Sequence, residues 1–413
     1  MSPIVKLWTL ILVLITSSLL GCKGQTNNSS STTAKSSYSG NPPVGGEFEN
    51  REFMSIGMPQ FINAVDTSPG WSQAGQKLLI TGTIYKPDGR TPAPDVILYY
   101  YHTNTEGRYL HRPEVSRSLP PNKLGQTHGY IRGWVKSDSN GHYSIYTVRP
   151  GTYPTRDEPA HIHPTIKEPG VATNYYIDEF VFDDDKLLTS AKRKALQHRG
   201  GSGILRVLQK GDLQVGERDI ILGLNIPGYP QTSETGIKSG LQIGEDQPSF
   251  GPYHAYGPDK GSRACPVCKY GRYHGIIYFV GNKPEWKDIE KWLTFLDQQS
   301  QARGKYLKTY FVYGDEAGYD KSTRQKELET LGVRLNLKNI ALTFVPSFKD
   351  KESEVSLSRI DPDVRNTFII YRNGTIIGKH ANLSATAENF SMLEKMLNTT
   401  RGGYFDLNRA SSD

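Results

Sequence analysis

The feature that most constrains this fold is a succession of short runs rich in β-branched and aromatic residues, several of which alternate between apolar and polar positions. Such runs occupy residues 78–85, 96–101, 133–136 and 143–148, and turn residues separate them. Side chains of a β-strand point to opposite faces with a period of two, so each run can bury one face. Asn140-Gly141, between the last two runs, is a strong hairpin signal. The pattern predicts an antiparallel, all-β sandwich in the N-terminal half.

The C-terminal half has a different organisation, in which strand-like runs alternate with longer segments of helical spacing. Strands are predicted at 275–281 and 306–312, and a helix at 283–301, where apolar residues recur every three or four positions. A hairpin around Asn373-Gly374 and a final helix over 385–397 follow. We predict an α/β domain here, and its order of elements resembles the thioredoxin-like fold.

The first 22 residues are typical of an export signal. Their apolar run, residues 7–20, is shorter than the roughly 20 residues needed to span a bilayer. The run ends in Leu19-Leu20-Gly21-Cys22, which resembles a bacterial lipobox, and this resemblance implies cleavage before Cys22 and acylation of its thiol. An ordinary signal peptide with an incidental cysteine is the alternative. We therefore expect a lipid anchor in the bacterial cell envelope, on the periplasmic face or the outer surface.

A chain of 413 residues is too long for one typical hydrophobic core, so two domains with accessory segments are expected. Residues 23–46 are rich in Ser, Thr, Asn and Gly, which predicts a disordered tether. The predicted organisation is a lipoprotein signal peptide at 1–22, the tether at 23–46, a β-sandwich at 47–230, a linker at 231–250 and an α/β domain at 251–413.

The charge of the chain says little about its partners. The net charge of +7 comes from Lys and Arg residues that are spread along the sequence rather than gathered in blocks. The sequence has no basic stripe with interleaved aromatic residues, and we predict no nucleic-acid partner.

The residues that suggest a chemistry concentrate in the predicted sandwich. His161 and His163 flank Ile162 in a strand-like run, so both imidazoles project to the same face. A His-x-His pair alone is as compatible with two packed or surface histidines as with a metal site. Tyr109 and Tyr153 accompany the pair, and their oxygens, once deprotonated, are donors that a hard ferric ion favours. Two phenolates and two imidazoles suit Fe(III) better than zinc.

The order of these motifs looks like that of the intradiol ring-cleavage dioxygenases, relatives of protocatechuate 3,4-dioxygenase and catechol 1,2-dioxygenase. The resemblance covers roughly residues 77–230. It rests on the Gly-x-Tyr-x-His motif around Tyr109, on the run Arg149-Pro150-Gly151-Thr152-Tyr153-Pro154 and on Pro159-Ala160-His161-Ile162-His163. The resemblance implies that Tyr109, Tyr153, His161 and His163 bind one non-haem ferric ion, with Tyr109 retained and Tyr153 displaced by the substrate.

The activity implied by the resemblance is cleavage of a catechol between its two hydroxyl-bearing carbons. Both atoms of O2 enter the product, a muconate-type diacid, and neither a flavin nor a nicotinamide is needed. The metal acts as a Lewis acid and a template in this chemistry, and the displaced Tyr153 phenolate serves as a base for one substrate proton. The implied partners are therefore a catechol-type substrate and O2.

The sequence departs from the family pattern at one place. The family commonly has an arginine just before the Pro-Ala-His-x-His run, and this chain has Glu158 there. Arg156 lies two residues earlier and could take the catalytic role of that arginine. The alternative interpretation is a transthyretin-like or carboxypeptidase-regulatory-like sandwich with a binding role. Such a module does not require Tyr109 together with the two histidines.

Cys265 and Cys268 remain once Cys22 is assigned to the anchor. In an oxidising envelope compartment they could form a disulfide. A Cys-x-x-Cys motif can also exchange disulfides, which would make the C-terminal domain an envelope thiol-disulfide oxidoreductase. Thioredoxins place this motif after their first central strand, whereas here it precedes the predicted strand 275–281. A structural role is therefore favoured, with thiol exchange and metal binding as the alternatives.

Overall fold

The computed structural model describes residues 43–230 and 238–409. Cys22, nearly all of the predicted tether and the first part of the predicted linker lie outside these residues. The N-terminal part consists of short strands and one short helix. They are β1 (Val65–Thr67), β2 (Lys77–Tyr85), β3 (Ile97–Tyr101), β4 (Arg132–Lys136), β5 (His142–Val148), β6 (His161–Lys167), β7 (Tyr175–Tyr176), β8 (Phe180–Phe182), α1 (Ser190–Ala195), β9 (Ile204–Leu205), β10 (Leu208–Lys210), β11 (Leu213–Glu217) and β12 (Ile220–Ile221).

These strands form two sheets that share one core. One sheet has the order β1-β5-β2-β11-β10, with β12 beside β2, and the other has the order β4-β3-β6-β8-β9, with β7 beside β6. Burial alternates residue by residue along β2, as expected for a strand with one face in the core. Leu78 and Ile80 of β2 are buried in the same cluster as Leu98 of β3 and Ile162 of β6. The predicted β-rich N-terminal domain is confirmed.

The expected antiparallel arrangement was wrong for part of both sheets. β2 pairs with β5 in the antiparallel sense but with β11 and β12 in the parallel sense. β8 and β9 are also parallel, and so are β1 and β5. Hairpin turns enforce an antiparallel pair, whereas strands that return to a sheet after a long connection can enter it in either direction.

The C-terminal part is built around a single mixed sheet. The elements are β13 (Tyr253–Tyr256), α2 (Pro266–Tyr270), β14 (His274–Val280), α3 (Trp286–Arg303), β15 (Leu307–Tyr313), α4 (Lys321–Arg334), β16 (Ala341–Phe344), β17 (Thr367–Arg372), β18 (Thr375–Ala381), α5 (Ala387–Thr399) and β19 (Asn408–Arg409). The order of strands in the sheet is β13-β16-β15-β14-β17-β18, in which β14, β15 and β16 run parallel and β13, β17 and β18 are antiparallel to their neighbours.

Helices cover one face of this sheet and irregular chain covers the other. Trp292 of α3, Leu328 of α4 and Leu393 of α5 belong to the same core cluster as residues on one face of β14. On the opposite face, Leu241 and Phe250 are buried beside the sheet, so part of the predicted linker packs against the C-terminal core. The α/β organisation agrees with the prediction, while the thioredoxin-like assignment stays a prediction.

The two parts are joined by main-chain and side-chain contacts. The C-terminal strand β19 pairs with β10, which extends the first sheet of the N-terminal part. Arg372 at the end of β17 forms an ion pair with Glu217 at the end of β11. Among the helices within 43–230 and 238–409, none combines the length and the apolar character that a membrane span requires.

Candidate metal centre and substrate cavity

The four residues predicted as metal ligands meet at one point of the N-terminal part. Tyr109 lies on the connection between β3 and β4, Tyr153 lies on the connection between β5 and β6, and His161 and His163 are the first and third residues of β6. The hydroxyl oxygens of Tyr109 and Tyr153 are 3.0 Å apart. The Tyr153 oxygen is 3.3 Å from Nε2 of His161 and 3.4 Å from Nε2 of His163. The two Nε2 atoms are themselves 3.0 Å apart.

A glycine allows the two tyrosine-bearing loops to approach each other. Gly107 has a left-handed φ of +74°, and a Cβ added there would lie 1.7 Å from the carbonyl oxygen of Thr152. Glycine is therefore required both for its backbone conformation and for the close contact. Because Gly107 and Thr152 each lie near a candidate ligand, this contact fixes the distance between Tyr109 and Tyr153.

A hydrogen bond orients the imidazole of His161 toward the cluster, and burial keeps that of His163 neutral. Nδ1 of His161 lies 2.7 Å from the carbonyl oxygen of Pro159, which can only accept, so Nδ1 carries the proton and Nε2 presents its lone pair. Nδ1 of His163 is buried without a hydrogen-bond partner and lies 3.7 Å from Oε1 of Glu179. Burial lowers the pKa of His163 well below its usual value, and the neighbouring His161 acts in the same direction. His163 is therefore a neutral imidazole.

The two phenols are held in the protonated form when no cation is near. Burial raises the pKa of Tyr109 well above its usual value, and the negative charge that Tyr153 would carry raises it further. Burial also raises the pKa of Tyr153 to about 12. A bound cation reverses this balance, because a nearby positive charge stabilises the phenolate form.

This donor set fits a ferric ion. The lone pair of His161 Nε2 faces Nε2 of His163 at 3.0 Å. Two nitrogens at this distance need a cation or a proton between them. Within the described residues, no group of three or more His, Cys, Asp and Glu side chains is arranged to hold a metal. Any metal at this point therefore needs the tyrosine oxygens, and oxygen donors of this kind favour a hard cation.

A cavity of about 420 Å³ opens beside the cluster. Tyr109, Tyr153 and His163 form part of its wall. Arg156, predicted to be catalytic, also lines the cavity, and its guanidinium lies 5.4 Å from the centre of the Tyr153 ring. The guanidinium is 4.0 Å from the carboxylate of Glu158, the residue that departs from the family pattern.

Sequence reasoning missed three residues that surround the cluster, namely Tyr101, His128 and Glu179. The ring of Tyr101 stacks on His163 at 4.6 Å and on His128 at 3.4 Å between centroids. Tyr101 is the cross-strand partner of His163, a pairing that a single sequence does not display. His128 lies in residues 102–131, which contain neither strand nor helix and so give no periodic signal.

The two remaining cysteines lie elsewhere. Cys265 and Cys268 are joined by a disulfide at the start of α2, with their Cα atoms 5.4 Å apart. Helix α2 precedes β14, and neither cysteine lines the cavity beside the tyrosine–histidine cluster.

A family model described as dioxygenase matches residues 62–199. Over 95 residues the chain is 30% identical to the protocatechuate 3,4-dioxygenase beta chain of Burkholderia cepacia. This alignment covers 22% of the present chain and 37% of that protein, so the chain spans just over a third of the length of this relative. The resemblance to the intradiol dioxygenase family is therefore confirmed. All four candidate ligands lie within residues 62–199, which the family model matches.

Solved structures with similarity to the chain include two intradiol-type enzymes. Catechol 1,2-dioxygenase from Acinetobacter sp. ADP1 is 18% identical, with 40% of this chain and 60% of that chain covered and a TM-score of 0.28. An intradiol ring-cleavage dioxygenase from Tetranychus urticae is 17% identical, with 42% of this chain and 93% of that chain covered and a TM-score of 0.28.

Proposed function

We propose that this protein is a non-haem Fe(III)-dependent intradiol dioxygenase that cleaves a catechol-type aromatic with O2. The observation that carries the proposal is the convergence of two phenol oxygens and two imidazole nitrogens from three separate segments: the Tyr153 oxygen lies 3.0 to 3.4 Å from the other three atoms, and the two nitrogens are 3.0 Å apart. A sandwich with a purely binding role has no need for this cluster.

The cluster residues take distinct roles in this proposal. Tyr109, Tyr153, His161 and His163 would hold the ion, which when bound supplies Lewis acidity to the two oxygens of the catechol. Tyr153 lines the cavity, so it meets the incoming substrate and accepts a proton from one of its hydroxyl groups. Burial raises the pKa of Tyr153, so its phenolate, once displaced from the ion, is a stronger base than a phenolate in water.

Arg156 is a cationic residue of the cavity wall that lies beside Tyr153. Its guanidinium lies over the Tyr153 ring, so it can stabilise negative charge on a substrate that occupies the cavity. Glu158, 4.0 Å away, offsets part of this positive charge. We expect Arg156→Ala to reduce kcat/KM and Glu158→Gln to raise it for an anionic catechol, because the second change leaves the guanidinium charge less compensated.

Metal content and colour test the proposal. We expect the purified protein to contain about one iron per chain and to absorb visible light through phenolate-to-Fe(III) charge transfer, with a band that shifts when a catechol is added. Tyr109→Phe and His161→Ala should each lose iron or colour while circular dichroism shows that the sandwich remains folded. The exposed His142 of β5 provides a control, since His142→Ala should keep both the iron and the colour. Unchanged iron in both ligand variants would remove the site assignment.

We also infer that the mature chain is attached to the bacterial envelope through an acylated Cys22. The support is the lipobox-like sequence that ends the export signal. In a bacterial host, Cys22→Ser should abolish incorporation of labelled fatty acid and move the protein from the membrane fraction to the soluble fraction. Labelling that persists in this variant would contradict the inference.

A further inference from the structure

His128 is a buried histidine in the cavity wall that the proposed reaction does not use. It lies on the connection between β3 and β4, and only 9% of its surface is exposed. It lines the same cavity as Tyr109 and Tyr153. A single aromatic ring, that of Tyr101, separates His128 from His163.

Three neighbours cover most of the imidazole. One face stacks on Tyr101, with 3.4 Å between centroids and an angle of 4° between planes. Phe53 makes an edge contact at 4.8 Å, and Nδ1 is bonded to the hydroxyl of Tyr99 at 2.8 Å. The edge of the ring that carries Nε2 is therefore the part that His128 presents to the cavity.

The hydrogen bonds around Tyr99 fix the tautomer of His128. Nη1 of Arg132 donates to the Tyr99 hydroxyl at 3.2 Å, and a guanidinium can only donate. The single proton of that hydroxyl is then directed to Nδ1 of His128, which must accept it. Burial lowers the pKa of His128 well below its usual value, and Arg132 acts in the same direction, so the ring is neutral. Its remaining proton is on Nε2.

Polar side chains extend the wall on either side of His128. Asn50, Gln126 and Thr127 line the same cavity. The amide of Asn122 donates to Oδ1 of Asn50 at 3.2 Å and to Oε1 of Gln126 at 3.0 Å, which holds the first two in place. This part of the wall is therefore a hydrogen-bonding surface formed by residues other than the four candidate metal ligands.

We propose that His128 is a specificity-determining residue whose Nε2–H donates a hydrogen bond to a carbonyl or carboxylate oxygen on the ring substituent of the catechol. Tyr99 and Arg132 are positioning residues, because they act on the substrate only through the tautomer of His128. The substrate class is then a catechol that carries such an oxygen acceptor. This inference rests on the proposed dioxygenase function and adds the recognition of the substituent.

Paired substrates test the inference in the holoenzyme. The ratio of kcat/KM between 3,4-dihydroxybenzaldehyde and 4-methylcatechol should fall roughly tenfold in His128→Phe, because one hydrogen bond is lost only with the first substrate. His128→Gln, which keeps an N–H donor, should retain most of the ratio, and the exposed His142→Phe should leave it unchanged. A ratio in His128→Phe within about twofold of that of the unaltered enzyme would overturn the inference.

Two measurements on the metal-free protein separate this inference from the proposed function. Long-range ¹H–¹⁵N correlation spectra should show the His128 ring proton on Nε2. In Tyr99→Phe, which lacks the hydroxyl that donates to Nδ1, the ring proton should no longer be confined to Nε2. A proton on Nδ1 in the unaltered protein would overturn the donor assignment, whatever the iron content. Calorimetric titration with the same two catechols should show tighter binding of the aldehyde, and equal binding would also overturn the inference. An absence of iron, by contrast, would overturn only the proposed function.

Discussion

Replacement of Gly107 by alanine is expected to separate the two tyrosine ligands. The added Cβ would lie 1.7 Å from the carbonyl oxygen of Thr152 and 3.1 Å from Cδ of Pro154, whereas ordinary contacts begin near 3.4 Å. Backbone atoms cannot turn aside as a side chain does, so the loops that carry Tyr109 and Tyr153 must move apart. Their hydroxyl oxygens, now 3.0 Å apart, would no longer meet at one ion.

The cost of this substitution has two parts. The left-handed φ of +74° disfavours any residue with a Cβ by about 1–2 kcal/mol. Overpacking against Thr152 adds about 1–3 kcal/mol. Gly170 is a matched control, because its φ is +82° and nothing lies within 4 Å of an added Cβ. Gly170→Ala should therefore show the first cost without the second.

Urea unfolding and iron analysis measure the two effects. We expect Gly107→Ala to lose about 2–5 kcal/mol of unfolding free energy, with iron content and the visible band strongly reduced in the protein that remains folded. Gly170→Ala should lose only about 1–2 kcal/mol and keep its iron. Equal destabilisation of both variants, with full colour in Gly107→Ala, would refute the reasoning.

Three further predictions concern the C-terminal part. Oδ1 of Asp297 accepts hydrogen bonds of 2.6 to 2.9 Å from the backbone N–H groups of residues 338–340. Asp297→Ala should therefore lower the free energy of unfolding in urea by about 3 kcal/mol, and Asp297→Asn, which keeps an acceptor oxygen, by clearly less; equal losses would contradict this prediction. Burial lowers the pKa of His274 to about 3, below its value near 6.5 in the unfolded chain. Between about pH 3 and 6.5 the unfolded chain therefore binds more protons than the folded chain, so the free energy of unfolding falls as the pH is lowered through this range. Between about pH 3 and 6.5, His274→Asn should reduce the slope of unfolding free energy against pH by up to about 1.4 kcal/mol per pH unit. An unchanged slope would contradict the prediction that His274 titrates differently in the folded and unfolded chain. The Cys265–Cys268 disulfide closes only a very short loop. Replacement of both cysteines by serine should therefore lower the unfolding free energy in denaturant by no more than about 2 kcal/mol and leave iron content and colour intact, and loss of iron would contradict this prediction.

The candidate ligands could be predicted from the sequence because local rules determine their placement. The two-residue period of a strand puts His161 and His163 on one face, and both are indeed on β6. The family-like order of motifs supplied Tyr109 and Tyr153, which no periodicity would have chosen among 24 tyrosines. The structure adds the convergence of all four tips.

The parts that could not be predicted depend on contacts distant in sequence. β11 and β12 pair in the parallel sense with β2, a strand far away in the sequence, so no local turn signal indicates the direction of these pairs. The run 175–182 predicts one strand, but β7 and β8 are separate, and the break between them brings Glu179 within 3.7 Å of His163. His128 lies in an irregular connection, so only the fold shows that it faces the cavity.

The most direct test of the central claim is to locate iron in crystals of the iron-loaded protein by anomalous scattering at the iron edge. We predict one strong peak, bounded by the hydroxyl oxygens of Tyr109 and Tyr153 and by Nε2 of His161 and His163. A peak at another position, or none at this cluster in protein that contains stoichiometric iron, would contradict it.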